Sequence, residues 1–297
     1  MRLKVVAVQY DAAQAQPLNN MHKVDTLLRQ LTKEDGVDIL VLPEMAFTGY
    51  TFSDRKHISD LVETDGGTTE QWCRRHAMRL HCTVFCGFPY KPPMQATQDT
   101  GQPNDTDVPY FNSMLIVGPD GNVLERYHKH FLYTTDETWA TPGDEFKTVT
   151  LPSGVKVGMA ICMDINPHKF EAPWEAYELA NHCLKEKVQV VVFCSNWCNC
   201  HPDDPMHVKN AAPELAETLE YWVARMKPLI GHDVYFVAAD RVGKESLSPL
   251  GKEGKTTFCG GSSVISLKEP RLLKYMDCFT EGLLVDDFNV IPRPAAV

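Results

Sequence analysis

Short runs of aliphatic and β-branched residues alternate along the chain with segments whose apolar positions recur at helical spacing. The first run, 3–10 ("LKVVAVQY"), predicts a strand, and 19–36 predicts an amphipathic helix closed by Gly36. A second apolar run, 38–44 ("DILVLPE"), ends on a carboxylate. In 68–82, Trp72, Ala77 and Leu80 fall near one helical face, and 83–90 follows as a strand. Residues 111–129 read as two strands around a Pro-Asp-Gly-Asn turn, which makes a hairpin. Three more strands, 155–162, 188–197 and 234–243, are separated by helical patterns at 171–187 and 213–230. Strands alternating with helices and interrupted by a hairpin predict an α/β layered fold with mixed sheets. The Pro-, Gly- and Asp-rich stretch 91–110 interrupts the theme without ending it, so it reads as a surface insertion in one domain spanning 1–297.

Composition narrows the class. The chain has 297 residues, 43% hydrophobic and 23% charged, enough to bury a large core. Its formal net charge of −10 argues against nucleic acid or an anionic membrane as the main partner. No stretch approaches the roughly 18 apolar residues of a membrane helix, and the N-terminal apolar run is too short for a signal peptide. Ten cysteines are too few for a disulfide scaffold of this length. These features lead to the expectation of a cytoplasmic protein with reduced thiols, nuclear entry being left open.

Several predicted strands end in a reactive group: Glu44 after "ILVLP", Lys129 after "VLERYH" and Cys162 after "VGMAI". Taken singly, a Glu or Lys at such a place is usually solvated, and a Cys is usually a small buried hydrophobe. Together they form a chemical set. A thiol needs a base or a positive neighbour to become a nucleophile. Glu44 is suited to take its proton, and Lys129 to neutralise the oxyanion formed on attack at a carbonyl, with the Met163 amide as second donor.

Four stretches, "LVLPEMAFTGY" (40–50), "YHKHFL" (127–132), "GMAICMDINPHKF" (158–170) and "ADRVGKE" (239–245), resemble the nitrilase superfamily of carbon–nitrogen hydrolases. They occur in the order of that family and at its separations. The resemblance implies a four-layer αββα sandwich and a Glu–Lys–Cys triad mapping onto Glu44, Lys129 and Cys162. It also implies an auxiliary carboxylate eight residues beyond the lysine, at Glu137, with Asp136 beside it as the alternative. The implied reaction is attack of Cys162 on an amide and a thioester then cleaved by water, with no metal or organic cofactor.

The stretch after the cysteine, "CMDINPHKFEAPWEAYELA", resembles the fungal branch of protein N-terminal amidases. That resemblance implies deamidation of N-terminal Asn and Gln of peptides or proteins, an early step of the N-degron pathway. Asp240, where the superfamily usually has Asn, and Asp164 are candidates to pair with the α-ammonium of such a peptide. Equally, Asp240 is suited to cap a turn and Asp164 to organise the nucleophile loop. Trp197 is a candidate for the pocket lining or for the core. A small-molecule ω-amidase, an N-carbamoyl hydrolase and a catalytically idle scaffold remain alternatives.

Other patterns read as structure. "FCSNWCNCH" (193–201) has four potential zinc ligands but no second ligand pair, so its cysteines are expected near the mouth of the site. "GPDGN" and "CGGSS" lack the phosphate-loop lysine and read as turns, and "HPDDPMH" (201–207) reads as a surface loop. Oligomeric state stays open, a homo-oligomer included.

Overall fold

The computed structural model describes residues 1–93, 108–201, 212–246 and 255–291. Most of the 91–110 stretch and of the 201–207 loop lies outside the described residues. One sheet contains β1 (Arg2–Gln9), β2 (Ile39–Val41), β3 (Thr83–Tyr90), β4 (Phe111–Val117), β5 (Val123–His128) and β14 (Gly282–Asn289), in the order β14-β1-β2-β3-β4-β5. The second contains β6 (Thr148–Thr150), β7 (Lys156–Ile161), β8 (Val190–Ser195), β9 (Tyr235–Asp240), β12 (Ser263–Ser266) and β13 (Arg271–Tyr275), in the order β13-β12-β9-β8-β7-β6. A small ladder pairs β10 (Lys244–Glu245) with β11 (Thr256–Thr257). The helices are α1 (Pro17–Leu28), the single turn α2 (Arg55–Ile58), α3 (Thr68–Leu80), α4 (Glu178–Lys185) and α5 (Ala212–Arg225).

Side-chain alternation builds the layers. Leu3, Val5 and Ala7 of β1, with Ile39, Val41, Phe85, Met114 and Ile116, point into the space between the sheets and share one core with Val157, Met159 and Val190. The intervening Val6, Val8, Leu40, Val84 and Leu115 face outward and pack on Met21, Val24, Trp72, Ala77 and Leu80 of α1 and α3. Leu179 and Cys183 of α4 and Leu219 and Trp222 of α5 cover the second sheet. The result is the four-layer αββα sandwich, two sheets face to face with helices outside.

The structure departs from the sequence pattern in the 19–36 helix and beyond residue 243, for identifiable reasons. The helix expected over 19–36 ends at Leu28. Thr32 turns extended and donates its N–H to Asp35 at 2.7 Å, starting a separate 3-10 turn that Gly36 closes at φ 63°. No strand was expected beyond 243, yet β12, β13 and β14 lie there. β14 ("GLLVDDFN") pairs antiparallel with all of β1, from Arg2 opposite Asn289 to Gln9 opposite Gly282. Its two aspartates and weak alternation hide it in the sequence.

The parallel strands β1–β3 and β7–β9 align their C-terminal ends, the edge where α/β folds place sites. Gly87 allows the first sheet to present its carboxylate there. A Cβ at Gly87 would lie 2.6 Å from Glu44 Cα and 2.7 Å from Met45 N, both backbone atoms that cannot turn away. Gly87→Ala is therefore expected to displace Glu44, to cost about 1–3 kcal/mol and to lower kcat disproportionately, checked by thermal melts beside steady-state rates.

Candidate active site

Glu44 lies beyond the end of β2, Lys129 immediately after β5 and Cys162 immediately after β7. Lys129 Nζ donates to Glu44 Oε1 at 2.6 Å and to Asp136 Oδ2 at 2.7 Å, all three side chains being fully buried. Asn112 Nδ2 bridges the same two carboxylates, at 2.7 Å from Glu44 Oε1 and 3.0 Å from Asp136 Oδ1. The second oxygen of Glu44 accepts the Asn196 N–H at 3.0 Å. One cation is thus shared by two buried carboxylates.

That imbalance sets the electrostatics. Burial pushes Glu44 above its ordinary value of 4.5, with Asp136 adding to the rise and Lys129 opposing it. Burial alone would pull Lys129 down, but Asp136 and Glu44 outweigh it and hold the ammonium above its ordinary range. Cys162 is raised well above a usual thiol, first by burial and then by the Glu44 charge, against the pull of Lys129 and the Ser195 hydroxyl. The resting site therefore pairs a neutral thiol with a carboxylate of enhanced basicity.

Cys162 sits at φ 41°, outside the strand it follows, at the start of the 3-10 turn Cys162–Ile165. Asp164 enforces this turn. Its carboxylate accepts from the N–H groups of Ile161 (2.8 Å), His130 (3.0 Å) and Phe131 (2.8 Å) and from the Tyr127 hydroxyl (2.8 Å). It ties the nucleophile turn to the Lys129 loop. Both oxygens of Asp164 are thus committed to the protein's own donors.

Cys162 and Met163 line a cavity of about 290 Å³ whose walls also carry Tyr50, Tyr133, Asn196 and Trp197. Trp197 thus faces the cavity, backed by Phe193 and Trp222. Cys198, half-buried, and Cys200, exposed, lie at the same wall, while Cys194 is buried on β8. Among the described residues, no group of three or more His, Cys, Asp or Glu side chains is placed to hold a metal ion. Nor is any described helix long and apolar enough to cross a membrane.

The structure places Glu137 and Asp240 outside the lining of this cavity. Glu137 is exposed on the turn Asp136–Thr138, and its neighbour Asp136 points inward to Lys129. Adjacent residues on a 3-10 turn diverge by about 120°, so only one of the pair can reach the lysine. Asp240 is fully buried and lines no part of the cavity. Its Oδ1 accepts the N–H groups of Trp197 and Arg241, each at 2.9 Å, and burial raises it well above the usual carboxylate range.

The carboxylates that do face the cavity are Glu214 and Glu217 on α5. Glu214 is buried and accepts from the Cys259 thiol at 3.2 Å, whereas Glu217 is largely exposed. Sequence reading passed over both, along with Asn112 and Asn196, and had Asp136 only as the alternative to Glu137. A helical glutamate carries no local mark of facing a cavity.

A family model described as carbon–nitrogen hydrolase matches residues 4–170. A Schizosaccharomyces pombe protein named protein N-terminal amidase is 29% identical over 284 residues, covering 88% of this chain and 92% of that protein. A Saccharomyces cerevisiae protein of the same name is 27% identical over 219 residues, covering 66% of this chain and 45% of that longer protein. The crystal structure of an N-terminal amidase with an Asn-Glu-Ala peptide superposes with a TM-score of 0.77 over 98% of this chain and 99% of that one, at 19% identity, and shares the fold.

Proposed function

The chain belongs to the carbon–nitrogen hydrolase family, the nitrilase superfamily, and from that premise we propose that it deamidates N-terminal Asn and Gln of peptides through a Cys162 thioester. The observation that carries the reading is a cavity with Cys162 in its wall and the buried carboxylate of Glu214 in the same wall. A carboxyl group at that place suits a substrate bearing an α-ammonium next to a short carboxamide side chain. Relatives named protein N-terminal amidase, and a structural neighbour holding an Asn-led peptide, support the same assignment.

Glu44 takes the Cys162 proton as sulfur attacks the carboxamide carbon. Lys129 and the Met163 amide hold the oxyanion, and the proton passes from Glu44 to the departing NH₂, which leaves as ammonia. Water then gives a proton to Glu44 and attacks the thioester. Collapse restores the thiol with that proton and releases the N-terminal Asp or Glu. Asp136 holds Lys129 in place, and Asn112 fixes both carboxylates.

The test compares Asn-led and Gln-led peptides, their N-acetylated copies and free glutamine, following ammonia. Ammonia from the free-amine peptides alone is the expected result; release from glutamine but not from peptides overturns the assignment. The pH profile carries a second expectation. Glu44 must be ionised to act, so kcat/KM should fall as pH drops through a value above the ordinary 4.5. The raised Lys129 gives no limb below its own ordinary range. The alkaline limb should lie near the substrate's α-amine, about 8, and move with that amine when its basicity is altered.

A further inference from the structure

Asn196 stands just past β8 and is one of the residues lining the cavity that also holds Cys162. It is only 1% exposed, and neither its Nδ2 nor its Oδ1 has a hydrogen-bond partner among the described residues. Because both ends of the amide lack one, the observation is the same whichever way the amide is turned. A buried donor and a buried acceptor on one side chain are rarely both left unmet, and a ligand that supplies the missing partners is one reason for retaining them. The backbone around Asn196 is already committed. Its own N–H goes to Glu44 Oε2 at 3.0 Å, and the next N–H, of Trp197, goes to Asp240 Oδ1 at 2.9 Å. The side chain is presented from a fixed turn, next to the proposed base.

The group that completes Asn196 must offer an acceptor and a donor along one edge. A primary carboxamide does so, because its carbonyl oxygen and its syn N–H lie side by side. A carboxylate offers acceptors only. A secondary amide in its usual trans form offers the carbonyl, but its N–H points to the far side and carbon fills the syn position. We infer that Asn196 pairs edge to edge with the substrate's primary carboxamide, Oδ1 accepting the syn N–H and Nδ2 donating to the carbonyl oxygen. This pairing confines hydrolysis to primary amides. Peptide bonds entering the cleft are spared, and the acid product, which turns an oxygen toward Oδ1, is released. The inference deepens the proposed function and rests on the scissile amide lying in this cavity.

The test uses two matched pairs: an Asn-led peptide with its side-chain N-methylated copy, and propionamide with N-methylpropionamide. Wild type is compared with Asn196→Leu and with Asn196→Asp, which keeps the size while losing the Nδ2 donor. Thermal midpoints and the mapped reaction of Cys162 with a methanethiosulfonate report whether the site is intact. Wild type should favour the primary amide by about 10³-fold or more. Both variants should lose about 100-fold of that preference through kcat/KM on the primary amide, with Cys162 reacting as before. A preference that survives in either variant, or equal wild-type rates on both members of a pair, overturns the inference. Hydrolysis confined to the propionamide pair removes the N-terminal reading, and the role of Asn196 is then decided on that pair.

Discussion

Lys129→Met is expected to abolish turnover and to destabilise the protein by about 3–5 kcal/mol at neutral pH, the cost of breaking a buried ion pair from one side. The substitution leaves the Glu44 and Asp136 carboxylates fully buried, with the Asn112 amide bridging them and no cation between them. Glu44, raised by burial and opposed in that rise by Lys129, then titrates higher still in the folded state. Stability tied to raised carboxyls is present below their unfolded values and is lost as pH rises through the folded ones. The variant's deficit against wild type should therefore shrink on acidification and be greatest at neutral pH and above. Adding Asp136→Asn should restore part of the stability and none of the activity. Denaturant unfolding across pH, run beside ammonia release, checks all three outcomes.

Glu44→Gln is expected to damage the reaction as severely while sparing the fold. The glutamine oxygen can keep the Lys129 and Asn112 hydrogen bonds now made to Glu44 Oε1 at 2.6 and 2.7 Å, giving up the Asn196 N–H, and Lys129 keeps its contact with Asp136 at 2.7 Å. The buried group goes from two anions around one cation to a balanced pair. The melting temperature should hold or rise, while kcat falls by about 10⁴-fold, because one group moves the proton in both halves of the reaction. A variant that melts far below wild type would mean that Glu44 holds the fold together rather than serving as base.

The contrast between these two variants marks what the sequence could disclose. Glu44 and Cys162 stand out because each ends an apolar run, whereas Lys129 follows a mixed stretch and joins them through the resemblance of its surroundings to the nitrilase superfamily. The same patterning made the sheets, the 111–129 hairpin and the α/β layering legible. Asp136 and Glu137 are adjacent acids, and only the phase of a 3-10 turn decides which one faces Lys129. Asn196 looks like any polar residue closing a strand until its neighbours leave its amide unmet. Asp240 looked like a binding group because its burial is a product of tertiary packing, unseen along the chain. β14 escaped because pairing with β1, some 280 positions away by register, supplies what its own alternation lacks.

The most direct measurement is intact-mass analysis of rapidly quenched enzyme during turnover of an Asn-led peptide. The expected species carries the peptide less ammonia as a thioester mapped to Cys162, and it is absent from Cys162→Ala and from reactions with the N-acetylated peptide. Ammonia release that persists in Cys162→Ala, or steady turnover in which label maps to another residue, would contradict the account.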